Sequence, residues 1–186
     1  LRATLSNRPD PVSPAAVSDA CTDRLKNGRV WSAVDTDAAL SDAEIVVLAV
    51  PDVAIGKVSH AIVDKLKPGT MVIVLDAAAP YAGHLPLRKD ITYFVTHPCH
   101  PPIFNDETDM KAKLDRFGGI AAKQAIVCCL MQGPEADYAK GEAVAKTVWS
   151  PVMRSHRLTV QQLALLEPAL AETGARSPLQ ALLAAV

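Results

Sequence analysis

His97 and His100 stand in the string THPCHPP, two imidazoles spaced by three positions and braced by Pro98, Pro101 and Pro102. With an unperturbed pKa of about 6.5, a neutral imidazole can take a hydroxyl proton while hydride leaves for a nicotinamide, so both are candidate acid–base groups. The same prolines would also stiffen a loop of solvent-exposed histidines. Asn105, Asp106, Glu107 and Asp109 follow at once. Carboxylates beside two histidines could bind a divalent metal, although no HxH or HExxH spacing supports one and NDETD suits a solvated turn. Asp52, after Val50 and Pro51, falls where the loop beyond a central strand meets a dinucleotide, or where a helix needs an N-cap. Asp76 precedes the small residues Ala77 to Ala79, which let a flat ring approach closely. Val50, Pro51, Asp52, Gly56 and Asp76 are therefore the candidate cofactor contacts. Lys123, Arg154, His156 and Arg157 could hold a substrate carboxylate or simply line a solvated rim. His60 and His84 read as structural. Glu167 and Glu172, five residues apart, do not share one helix face, yet either could meet His100 in space.

These residues need strands to position them. The run EIVVLAV from Glu44 to Val50, stopped by Pro51 and Asp52, reads as a strand buried on both faces. Ile55, Val58, Ile62 and Leu66 recur at helical spacing and predict a helix over Val53 to Leu66, closed by Pro68-Gly69. Met71 to Leu75 is the next buried strand, completing a βαβ unit. Further strands are predicted at Thr92 to Thr96, Gln124 to Leu130 and Val152 to Arg157, with a helix over Pro134 to Trp149. Another helix starts at Val160, with Thr159 as N-cap. The segment from Pro80 to Asp109, rich in Pro, Gly, His and Asp, is the candidate active-site loop. The fold class is α/β, a Rossmann-like parallel sheet with ligands expected at the carboxyl ends of its strands. Neither GxGxxG nor a P-loop occurs; Gly118-Gly119 lacks the Gly-Lys-Ser/Thr ending.

The 186 residues are 49% hydrophobic and 21% charged, enough for one domain with a sizeable core or one domain and a fragment. A formal net charge of -1 supplies no basic field, so nucleic acid is not an expected partner. No apolar run reaches the roughly 18–20 residues of a membrane span, and Leu1 to Asp10 lack a signal pattern, so the expectation is a cytoplasmic protein. Of the four cysteines, Cys21, Cys99, Cys128 and Cys129, none forms a CxxC pair. All four read as reduced, buried thiols, with Cys128 and Cys129 on opposite sides of a strand.

The strings AEIVVLAVPD, KPGTMVIVLDAAAPYAGHLP, DITYFVTHPCHPPIFNDETD and AIVCCLMQGPE resemble the D-apionate oxidoisomerases, within the dehydrogenases similar to 6-phosphogluconate and prephenate dehydrogenase. The resemblance runs from about Asp35 to Thr173. It implies a two-domain, homodimeric enzyme that uses NAD to oxidise a branched sugar acid, D-apionate, and rearranges its skeleton to 3-oxo-isoapionate. A rearrangement of that kind develops negative charge that a Lewis acid stabilises, which implies a divalent metal such as zinc. On the same resemblance His97 matches the histidine of the HP motif, His100 and Glu172 are the expected metal ligands, and Glu167 is the reserve. The family opens on a strand and a glycine loop, and Leu1 falls just beyond them. Asp10 to Val17 offers no acidic residue where Ala16 takes the ribose-binding place, and GARSPLQALLAAV departs from the family after Thr173. The expectation is a partial NAD-binding domain over 1–157, lacking its first strand, and the start of a truncated helical domain over 158–186. The alternative is a remnant that holds a small acid or a metal ion but not NAD.

Overall fold

The computed structural model describes residues 4–5, 36–102 and 106–169. Six strands form one sheet: β1 (Thr4–Leu5), β2 (Ile45–Leu48), β3 (Met71–Val74), β4 (Thr92–Pro98), β5 (Gln124–Gln132) and β6 (Val152–Arg157), in the order β1-β2-β3-β4-β5-β6. β1 to β4 are parallel, as are β5 and β6, but β4 and β5 run antiparallel. The expected α/β, Rossmann-like architecture is present, and the all-parallel expectation is corrected at that one pair. A parallel crossover needs a dozen or more residues, usually a helix laid across the sheet. Between β4 and β5 the described chain has only the five-residue helix Met110–Leu114, so it returns alongside β4 instead. Thr4–Leu5, which sequence patterning does not pick out, pairs with Val47 and Leu48 at one edge.

Successive strand residues point to opposite faces, and two cores result. One gathers Leu48, Val74, Val95 and Cys129 under Ile55, Ile62 and Leu163; the other gathers Met71, Ile73, Phe94, Ile126 and Cys128 under Ala145. Adjacent Cys128 and Cys129 thus enter different cores, as the alternation predicts. Burial pushes the Cys129 thiol up to about 12, so it stays protonated. Cys99 is exposed, against the expectation of burial, because it lies past the last residue of β4. Cys21 lies outside the described residues.

The helices are α1 (Thr36–Ser41), α2 (Asp52–Ile62), α3 (Ala78–Tyr81), α4 (Met110–Leu114), α5 (Asp137–Val148) and α6 (Val160–Glu167). α2 continues into a tighter turn at Val63–Lys65, so together they fill the predicted stretch to within two residues. α1, α3 and α4 are too short for periodicity to reveal. α6 opens on the expected N-cap: Thr159 Oγ1 accepts from Gln162 N at 3.1 Å, and Gln162 Oε1 accepts from Thr159 N at 2.9 Å. Eight residues at 1.5 Å each carry this helix about 12 Å back over the first core, where Leu163 anchors it beside Val74 and Val95. Among the described residues no helix is long and apolar enough to cross a membrane.

Candidate active site at the carboxyl edge of the parallel strands

β2 and β3 end in Leu48 and Val74, and the chain beyond them places Asp52 and Asp76 at the carboxyl edge, where an α/β sheet presents its ligands. β3 pairs with β4 only as far as Val95, whereas β5 accompanies β4 to Pro98. His97 is therefore part of β4, opposite Val127, and not in a loop after the strand as its prolines suggest. Sitting on a strand makes its direction more rigid than a loop would.

His97 Nε2 faces Asp76 Oδ2 at 3.9 Å, an ion-pair separation longer than a hydrogen bond, with both side chains about four-fifths buried (22% and 21% exposed). The other Asp76 oxygen accepts from Ala78 N at 2.6 Å, which pins the carboxylate at the start of α3. Asp52 belongs electrostatically to the same group. Desolvation, then the Asp76 charge, raises its pKa, while His97 acts to lower it. It is the first residue of α2, not its N-cap: Pro51 holds that place and no side chain caps the helix.

α6 closes the site. A narrow cleft is lined by Asp76, Ala77, Ala78 and His97 from the sheet edge and by Ala164 and Glu167 from the helix end. Glu167, the reserve residue of the sequence reading, thus lies with His97. Glu172 lies outside the described residues, as does Asn105. Among the described residues no three His, Cys, Asp or Glu side chains come together to hold a metal ion, and no step is assigned to one.

His100 stands next to this cleft, its ring edge-on to that of His97 with centroids 6.4 Å apart. Its backbone has φ 59, a left-handed value that costs a non-glycine residue of order 1–3 kcal/mol and persists only where the surroundings impose it. Val50 packs half-buried against the first core, and Pro51 and Asp52 are exposed beyond it. Gly56 faces inward: a Cβ there would lie 3.2 Å from His84 Cβ, so packing of α2 on the 84 segment accounts for the missing side chain.

The remaining candidates fall elsewhere. Asp109 caps α4 by accepting from Lys111 N at 2.9 Å, and Glu107 accepts from Asp109 N at 3.0 Å, which is the turn-forming role read from NDETD. Arg157 does not reach the cleft. It points to the opposite face of the sheet, engaging Glu135 and lying 4.1 Å over the Tyr138 ring. A wider cleft beside it, between Leu130, Leu158 and Val160, contains no acid–base pair. Lys123, Arg154 and His156 are exposed, as is His60 at the end of α2.

One anchor escaped the sequence reading. Asp115 is 6% exposed, and its Oδ2 accepts from the backbone N of Ile120, Ala121 and Ala122 at 2.9, 2.8 and 3.0 Å. These bonds, that of Ala121 foremost, hold its carboxyl below the usual range. Nothing in the local pattern of DRFGGIAA marks such an anchor, except that Gly118-Gly119 permits the turn it closes.

Residues 105–186 match the family described as "Phosphogluconate dehydrogenase (decarboxylating) C-term". A D-apionate oxidoisomerase from Rhizobium rhizogenes is 69% identical over 157 residues, 84% of this chain and 57% of the relative. Another from Cupriavidus necator is 59% identical over 162 residues, 87% of this chain and 59% of the relative. Among solved structures, a semialdehyde dehydrogenase NAD-binding protein from Cupriavidus necator, in complex with calcium and NAD, superposes with TM-score 0.82 at 57% identity, covering 91% of this chain and 61% of that one. An NADH-preferring ketol-acid reductoisomerase, at TM-score 0.62 and 16% identity over 87% of this chain and 47% of that one, shares the fold alone. The chain spans a little under three-fifths of the length of the first two relatives. Over the residues it shares with them, the chain is similar to the D-apionate oxidoisomerases.

Proposed function

We propose that this chain is part of an NAD-dependent oxidoisomerase that converts D-apionate to 3-oxo-isoapionate, with His97 as its acid–base group. The observation that carries the reading is the His97–Asp76 pair, 3.9 Å apart in a cleft at the carboxyl edge of the parallel strands. Asp76 favours the proton on Nε2, which leaves Nδ1 to accept the proton of a substrate hydroxyl. The imidazolium so formed faces the Asp76 carboxylate, which offsets its charge, in the cleft that Glu167 also lines, and can return the proton during the skeletal rearrangement. NAD, when bound, supplies the hydride acceptor. Val50, Pro51, Asp52 and Asp76 hold its near edge in this reading, and Ala77 and Ala78 leave room for its ring. Gly56 contributes through the packing of α2. A homodimer in the cytoplasm, acting on a small sugar acid, belongs to the same proposal.

Incubation of the purified protein with NAD and D-apionate is expected to form NADH, followed by absorbance, and a product lighter than its substrate by one molecule of hydrogen. A protein that binds NAD yet forms no NADH with D-apionate would remove the substrate from this reading.

A further inference from the structure

We infer that Asp115 is a positioning residue for His100: it folds the 116–122 turn so that the Phe117 carbonyl fixes the His100 ring with its proton on Nδ1, leaving Nε2 as the acceptor. His100 Nδ1 lies 3.0 Å from the Phe117 carbonyl oxygen. A carbonyl oxygen only accepts, so a hydrogen bond there requires the ring proton on Nδ1. In water both tautomers of a neutral imidazole are populated; this contact selects one.

The contact depends on the turn, because little else holds Phe117. Its side chain is 79% exposed and meets the His100 ring edge-on, with centroids 5.8 Å apart and planes at 88°. The backbone is set instead by Asp115, whose single oxygen gathers three successive N–H groups from Ile120 to Ala122. Gly118 and Gly119 let the chain turn back at φ 79 and 91, and Gly118 N donates to the Asp115 carbonyl at 3.3 Å. A carboxylate with these donors cannot shift without releasing all of them, so the Phe117 carbonyl is held where His100 needs it. The left-handed φ of His100, directly before Pro101, is a second strained feature that this partner helps to stabilise. An imidazole whose Nδ1–H is held by a backbone carbonyl presents Nε2 with its lone pair aligned, which suits an atom that accepts a proton or meets a cation. That use of Nε2 rests on the function proposed above, whereas the tautomer does not.

The test is a long-range proton–nitrogen correlation spectrum of the labelled protein, without NAD or substrate, at a pH where imidazoles are neutral. Loss of one signal set in His100→Gln assigns the ring. The expected wild-type pattern is protonated Nδ1 and bare Nε2. Asp115→Ala is expected to move His100 toward a mixture with protonated Nε2, and Asp115→Asn, which keeps an acceptor oxygen, to restore most of the original pattern. Should Asp115→Ala not fold, Gly119→Ala strains the same turn at φ 91 with no atom within 4 Å of the added carbon, and should shift the ring in the same direction. Protonated Nε2 in the wild type would overturn the inference, as would an unchanged His100 pattern in a folded Asp115→Ala whose 120–122 amides have lost exchange protection. Because the spectra involve no turnover, a failed assay for NADH leaves this result standing, and the wrong tautomer leaves the role of His97 standing.

Discussion

His97→Asn is expected to lower kcat for NAD-dependent oxidation of D-apionate by about 10²–10⁴-fold, the range for loss of a positioned acid–base group, with the affinity for NAD little changed. Asparagine keeps polarity and approximate size on β4 but cannot take up a proton. Asp76→Asn should cost less, because it leaves the imidazole in place and removes only the carboxylate 3.9 Å from Nε2. The assay is initial NADH formation as a function of both substrates. Equal kcat in wild type and His97→Asn would mean that the proton goes to another group, with His100 the next to examine.

Gly141→Val is the change expected to damage the fold most. A Cβ at Gly141 would lie 2.4 Å from Phe94 Cδ2 and 2.5 Å from Cε2, closer than real contacts allow. Phe94 is fully buried at the centre of the second core, so neither the ring nor α5 can move without disturbing packing against Ile73, Ile126 and Cys128. Overpacking of this kind costs about 3 kcal/mol, the upper part of the usual range, which lowers Tm by roughly 6–12 °C in a chain of this size. Phe94→Leu in the same chain should recover part of the loss, since the smaller side chain admits the extra methyl groups. Differential scanning calorimetry of the two variants decides it. An unchanged Tm for Gly141→Val would show that α5 does not lie against Phe94 as described.

The strands were legible because the central ones are apolar on both faces: IVVLAV and MVIVL have no polar residue to blur them, and β2 and β3 fall inside those runs. Thr159 was legible as a cap because its partner, Gln162, stands three residues on. The antiparallel pairing of β4 with β5 was not, since alternation reads the same in either direction and the decision rests on what connects the strands. For the same reason His97 looked like a loop residue after a strand, although pairing with β5 alone carries β4 through Pro98. At the site, sequence position brought Asp52, Asp76 and His97 together through strand ends. Glu167 came to them only through the path of α6 across the sheet, which no local spacing encodes. Asp115 was invisible for a related reason: three backbone donors converge on it from a turn, and backbone donors carry no residue signature.

The decisive measurement is calorimetric titration of NAD into this chain and into a version extended upstream of Leu1 through a strand and a glycine loop. The reading offered here predicts saturable binding by at least the extended chain, abolished by Ala78→Arg, which would fill the cleft beside Asp76 and His97. Titrations without binding heat in both, or tight binding that Ala78→Arg leaves untouched, would contradict a nicotinamide site at this edge of the sheet.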